Sequence, residues 1–152
     1  MKRSAGILAY RLSANRPEVL LIHPGGPFWK NKDDGAWSIP KGEYDETEEV
    51  LAAAKREFRE ETGHEIGDKT CLPLSSIRQK SGKWVDAFAV NYDLDAATIV
   101  SNLFEIEWPP RSGKMQSFPE ADKAGWFSLD DARKKILPAQ APLLDQLMEL
   151  LR

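Results

Sequence analysis

Apolar residues fall along this chain in short, bounded runs. The segments SAGILAYRL (residues 4–12) and PEVLLIHP (17–24) are aliphatic and flanked by polar or Pro residues. They predict two strands joined by a turn around residues 15–17. GGPFWKNKDDG (25–35) has Gly at both ends and reads as a loop, and AWSIP (36–40) as a short strand stopped by Pro40. From about residue 47 to 62 the spacing changes to that of a helix. Val50, Leu51, Ala54 and Phe58 form the apolar stripe. Thr47 is placed to cap this helix, Glu48 and Glu49 suit its first turn, and Gly63 suits its C-terminal end.

Beyond the helix, CLPLSSIRQ (71–79), KWVDAFAVNYDL (83–94) and SNLFEIEW (101–108) read as strands, with a tight turn at Ser81-Gly82. PPRSGKMQSFPEADK (109–123) reads as a long polar loop, AGWFSL (124–129) as a last strand, and 129–136 and 141–151 as amphipathic helices. The second of these suits packing on the chain's own sheet or on a second subunit, so a monomer or a homodimer is expected. Strands of mixed order around one central helix give an α+β class rather than repeating βαβ units. No repeat or low-complexity stretch divides the 152 residues, so one domain over 1–152 is expected.

Composition narrows the function. A formal net charge of −3 argues against a protein that coats nucleic acid, yet leaves room for a small phosphorylated ligand held by local cations or a metal ion. Uninterrupted apolar stretches, such as residues 19–22, are only a few residues long, too short to span a membrane. The N-terminus carries too short an apolar run for a secretory signal. The lone Cys71 excludes an internal disulfide and a multi-cysteine zinc site, and fits a reducing cytoplasm.

Candidate chemistry concentrates in the helix. Glu57, Glu60 and Glu61 fall within a sector of about 100°, away from the apolar stripe, where they can project together into a pocket. Carboxylates this close repel one another. Lys55, Arg56 and Arg59 offset part of that, which is also what an exposed, salt-bridged helix face would show. A hard divalent cation such as Mg²⁺ or Mn²⁺ would offset it better.

The surroundings weigh on this choice. Gly42 is followed by five residues and Glu48, seven more and Arg56-Glu57-Phe58, one more and Glu60-Glu61, one more and Gly63. This resembles the signature of the Nudix hydrolase family, Gx5Ex7REUxEExGU with U a bulky apolar residue. All seven fixed positions match. At ~7% per residue type, the chance of that anywhere in the chain is on the order of 10⁻⁶. The final U is occupied by His64, which leaves Ile66 to supply the apolar plug.

The resemblance implies an α/β/α sandwich with a mixed sheet and a central helix, and hydrolysis of a nucleoside diphosphate linked to another moiety. It implies Mg²⁺ or Mn²⁺ as cofactor, at a metal site of Gly42, Glu57, Glu60 and Glu61 assisted by Glu48. Gly42 is expected to let the chain turn tightly before the helix, and Arg56 to orient the loop and the carboxylates. The region before the WF strand supplies a general base or metal-associated Glu in several relatives. Glu120 fits by position, with Glu105 and Glu107 as rivals. His23 and His64 are expected to be structural, and Cys71 a small apolar filler.

Three features bear on the substrate. The PKG sequence leading into the motif looks like that of diadenosine polyphosphate hydrolases, where Lys41 would meet a phosphate beyond the pair at the metal. Phe28 or Trp29 is suited to stack on a base while Lys30 and Lys32 reach phosphate. Arg111 and Lys114 are further candidate phosphate contacts. The expectation is a metal-dependent pyrophosphohydrolase of nucleoside polyphosphates, preferably dinucleoside polyphosphates. Its rivals are hydrolysis of nucleoside triphosphates or diphosphoinositol polyphosphates, and a non-catalytic nucleotide-binding sensor.

Overall fold

The computed structural model describes residues 3–152. Strand β1 (Arg3–Ser13) turns back through Ala14 and Asn15, both at positive φ, into β2 (Arg16–Pro24). β3 (Lys41–Tyr44) leads into α1 (Val50–Thr62). Next come β4 (Cys71–Pro73), β5 (Ile77–Arg78), β6 (Trp84–Asn91), β7 (Leu103–Glu107), β8 (Met115–Pro119) and β9 (Ala121–Ser128). Helices α2 (Leu129–Lys135) and α3 (Ala141–Leu150) close the chain.

Strands β4, β6, β1, β2 and β9 lie side by side, β1 and β6 in parallel and the other neighbours antiparallel. The sheet splits along β1, whose first half pairs with β3 and whose second half pairs with β2. Side chains alternate accordingly. Ala5, Ile7, Ala9 and Leu20 face Ala53, Ala54 and Phe58 of α1, while Leu8, Tyr10, Val19 and Leu21 face Leu143, Leu144 and Leu147 of α3. Burial on both faces explains the near-continuous apolar run of β1. The C-terminal helix therefore packs on the chain's own sheet. Ile66 is fully buried against α1's layer, where the apolar plug was expected.

Several boundaries differ from the sequence reading, each for a local reason. Thr47 does not cap the helix, because its N–H and hydroxyl are both engaged by Asp45; the cap is Glu49, whose carboxylate accepts from the Ala52 N–H at 2.9 Å. Ala53 joins the buried stripe, and Leu51 is only half-buried. AWSIP is not a strand. Trp37 bonds the main chain at the end of α2, Ser38 bonds Ile22, and the Ile39 N–H donates to Gln140, so no single neighbour takes a run of bonds. The strand begins only at Lys41.

The 71–79 segment breaks into β4 and β5, with Ser75 between them clasped by the Gln146 amide. The supposed loop at 109–123 contains β8, which pairs with β7 in a separate two-stranded ribbon, and β9 starts three residues early, at Ala121. Both ribbon strands are largely exposed, so no apolar alternation marked β8.

Candidate active site

Helix α1 is positioned by its apolar face, and that placement carries Glu57 and Glu61 into the interior. One turn apart, they flank Phe58 and share its buried side; each is less than a tenth exposed. This corrects the reading that put the carboxylates away from the apolar stripe. Glu120 arrives between β8 and β9, and ligand oxygens of Glu57, Glu61 and Glu120 lie within 4.8 Å of one another. Among the described residues no other trio of His, Cys, Asp or Glu comes together in this way. Glu60 stands to one side and accepts from Arg56 Nη1 at 3.1 Å.

Electrostatics at the trio are unfavourable without a cation. Burial, then the charges of Glu57 and Glu120, push the Glu61 carboxyl up to about 9. Burial also raises Glu57, although the hydrogen bond from Arg56 pulls it down. Glu120 is raised by burial and by Glu60. Acids raised above their ordinary range at close quarters are characteristic of functional sites.

Arg56 organises the rest. Its Nε and Nη2 donate to the two oxygens of Glu48 at 2.6 and 2.9 Å, its Nη1 to Glu57 at 2.7 Å and to Glu60 at 3.1 Å, and its Nη2 to the Glu43 carbonyl at 3.3 Å. Glu48 is thereby held below the usual carboxylate range. Gly42 does not make a tight turn. It sits in β3 opposite Ala5, and a Cβ there would lie 2.1 Å from the Glu57 carboxylate. Its missing side chain is the space that the carboxylate fills.

A cavity of about 200 Å³ opens beside the trio. Glu61, Glu120, Lys41 and Ser38 give it polar walls, and Ile22, Ile39, Leu137 and Trp29 apolar ones. The Lys41 N–H donates to Glu61 at 3.3 Å, and burial lowers the pKa of its ammonium group. The structure therefore gathers Lys41, Trp29, Glu61 and Glu120 around one space.

It does not bring Lys32, Arg111 or Lys114 there. The Lys32 carbonyl bonds His23 Nε2, and Arg111 and Lys114 sit at the tip of the β7–β8 ribbon, roughly 20–30 Å of extended chain from Glu120. Glu105 faces Ser117 across the ribbon and Glu107 accepts from the Arg111 N–H, so neither rivals Glu120. His23 is buried between Asp122 and Lys32, and His64 bonds Thr98. The wall residues Ile22, Ser38, Ile39 and Leu137 had no signal in the sequence, because they meet only through the fold.

The sequence matches the family model of the NUDIX domain over residues 2–147. The chain belongs to the Nudix family. It is accordingly a hydrolase acting on pyrophosphate bonds, in a family that generally uses divalent metal ions. No curated protein matches it. Similar solved structures include an Ap4A hydrolase of C. elegans in a binary complex, 24% identical over 98% of each chain with a TM-score of 0.68. A mutT/nudix family protein from Listeria innocua is 18% identical over 98% of this chain and 92% of the other, with a TM-score of 0.64. The NUDIX domain of Shewanella oneidensis NrtR complexed with ADP ribose is 18% identical over 98% of this chain and 87% of the other, with a TM-score of 0.61. At these identities the likeness is one of fold: the α+β arrangement described above is the Nudix fold.

Proposed function

We propose that this Nudix hydrolase is a Mg²⁺- or Mn²⁺-dependent pyrophosphohydrolase that cleaves a P–O–P bond in a nucleoside polyphosphate, preferably a dinucleoside polyphosphate. The observation that carries the reading is the convergence of three carboxylates, two of which, Glu61 and Glu120, line a cavity that also holds Lys41 and Trp29. The trio fits a hard divalent cation: its donors are all oxygens, two are buried, and Arg56 at Glu57 offsets only part of their mutual repulsion. Glu57 and Glu61 would hold the ion, with Glu60 and Glu48 at its margin and Gly42 leaving the room. A cation held there would supply polarisation of a phosphoryl oxygen and a lowered pKa for a water bound to it.

The chain's own residues do the rest. Arg56 is a positioning residue that fixes Glu57, Glu60 and Glu48 in one orientation. Glu120 comes from a different element than the helical pair and, with its raised pKa, is suited to accept the proton of the attacking water. Lys41, on the rim of the same cavity, neutralises a phosphate beyond the one attacked, and Trp29 offers its ring to a base. The preference for dinucleoside polyphosphates is supported by Lys41 before Gly42, and by the Ap4A hydrolase among similar folds. A cytoplasmic location belongs to the same reading, supported by the single free Cys71.

Product analysis tests this. With Mg²⁺ or Mn²⁺, the chain is offered diadenosine polyphosphates, nucleoside triphosphates, ADP-ribose and a diphosphoinositol polyphosphate, and the products are separated by anion exchange. Faster cleavage of diadenosine polyphosphates than of the others supports the proposal. Faster cleavage of another class overturns the preference, and nucleotide binding without cleavage of any overturns the catalytic reading.

A further inference from the structure

The cavity beside the carboxylates, at about 200 Å³, is small for a nucleoside together with its phosphate chain; small-molecule sites span roughly 300–1,000 Å³. A second cleft of about 450 Å³ lies next to it, between the 26–30 segment and the β7–β8 ribbon. Its wall at Pro119 is one residue from Glu120, and the Gly25 N–H donates to the Glu120 carbonyl at 2.9 Å, so both spaces share the chain that carries Glu120.

This cleft contains side chains that the core does not explain. Trp108 lines it and meets Phe28 edge-on, with ring centroids 5.4 Å apart at 80°. Phe28 is 58% exposed, and neither ring belongs to a core cluster. The main chain of Trp108 is held in place: its backbone N–H donates to the Lys114 carbonyl at 2.9 Å, and its carbonyl accepts from the Gln116 amide at 2.8 Å. That bond uses the amide nitrogen of Gln116 and leaves its oxygen as an acceptor facing no protein donor among the described residues. Lys30, also in the lining, makes no hydrogen bond or ion pair among the described residues. Asp122 adds a carboxylate, of which one oxygen is bonded to His23. A half-exposed aromatic face, two spare acceptor oxygens and an unpaired cation are what an amino-bearing nucleobase with its ribose phosphate requires.

We propose that this cleft is a nucleoside subsite in which Trp108 stacks on the base, Gln116 and Asp122 accept from its exocyclic amino group, and Lys30 meets the adjoining phosphate. The assignment rests on the reading of the chain as a hydrolase of dinucleoside polyphosphates, and says where the second nucleoside goes. Nucleoside triphosphates would be cleaved with their base on the Trp29 side, whereas AMP is free to enter either subsite.

Two measurements test it. In the first, AMP is titrated into the metal-free full chain while the five tryptophan indole N–H signals are followed by NMR. Movement of the Trp108 indole and the Gln116 amide supports the subsite; shifts confined to Trp29, or no shifts, overturn it. In the second, Trp108→Ala is compared with wild type on diadenosine tetraphosphate and on ATP. The expected result is a KM about tenfold higher for the first substrate, unchanged for ATP, with kcat within about twofold and most of the loss restored in Trp108→Phe. An equal rise for both substrates reflects general loosening and overturns the proposal. If wild type does not cleave diadenosine tetraphosphate, the proposed substrate preference falls, and the AMP titration alone decides whether the cleft takes a base.

Discussion

Glu61 ties catalysis to stability in a way that can be measured without any substrate. In the folded chain its carboxyl is pushed up to about 9 by burial and by Glu57 and Glu120, against an ordinary 4.5. Between these values the folded state keeps a proton that the unfolded state has lost. Stability therefore falls as pH rises through that window, with a slope of up to about 1.4 kcal/mol per pH unit. From about pH 5.5 to about pH 8 this amounts to roughly 3 kcal/mol, a large part of the roughly 5–15 kcal/mol that holds an ordinary domain together. Urea denaturation with a chelator present, repeated across that range, reads the slope directly. Glu61→Gln should flatten it and should make the metal-free protein more stable than wild type at the alkaline end. Saturating Mg²⁺ should also flatten it, because the cation displaces the proton from the folded state. A wild-type profile that is level or rising over this range would refute the argument, as would an unchanged slope in Glu61→Gln.

Two further substitutions probe the geometry. Gly42→Ala places a Cβ 2.1 Å from the Glu57 carboxylate, so the carboxylate must move; kcat should fall about 10²-fold with circular dichroism unchanged, and near-normal turnover would show that Gly42 does not set the position of Glu57. Lys41→Ala should raise KM more for diadenosine polyphosphates than for nucleoside triphosphates, and equal effects on the two would remove the lysine from substrate selection.

The candidate site was legible where its chemistry runs along one helix. Glu57, Glu60, Glu61, Arg56 and Glu48 fall at spacings that the helix fixes, and Gly42 stands at a set distance before them. Their division of labour was not legible. Only the packed structure turns Glu57 and Glu61 inward with Phe58 and leaves Glu60 on Arg56. Glu120 was reached by position in the chain, whereas the cavity walls at Ile22, Ile39 and Leu137 come from three distant segments and left no local trace.

Strands buried on both faces, such as β1, announced themselves by composition. β8 did not, because its pairing with β7 depends on main-chain bonds in a mostly exposed ribbon. AWSIP has the composition of a strand, but its main-chain groups are divided among α2, β2 and Gln140. The cations Lys32, Arg111 and Lys114 were attractive as charges, yet none of them lines the cavity beside the carboxylates.

The central claim is that Glu57 and Glu61 hold a divalent cation and that Glu120 accepts the proton of the water attacking beside it. Calorimetric titration of Mn²⁺ into wild type, Glu57→Gln and Glu120→Gln, with turnover of diadenosine tetraphosphate measured on the same samples, tests it most directly. The account predicts metal affinity at least about tenfold weaker in Glu57→Gln, and turnover lower by at least about 10² in both variants, with the folded state intact. Wild-type metal affinity and near-wild-type turnover in both variants would contradict it.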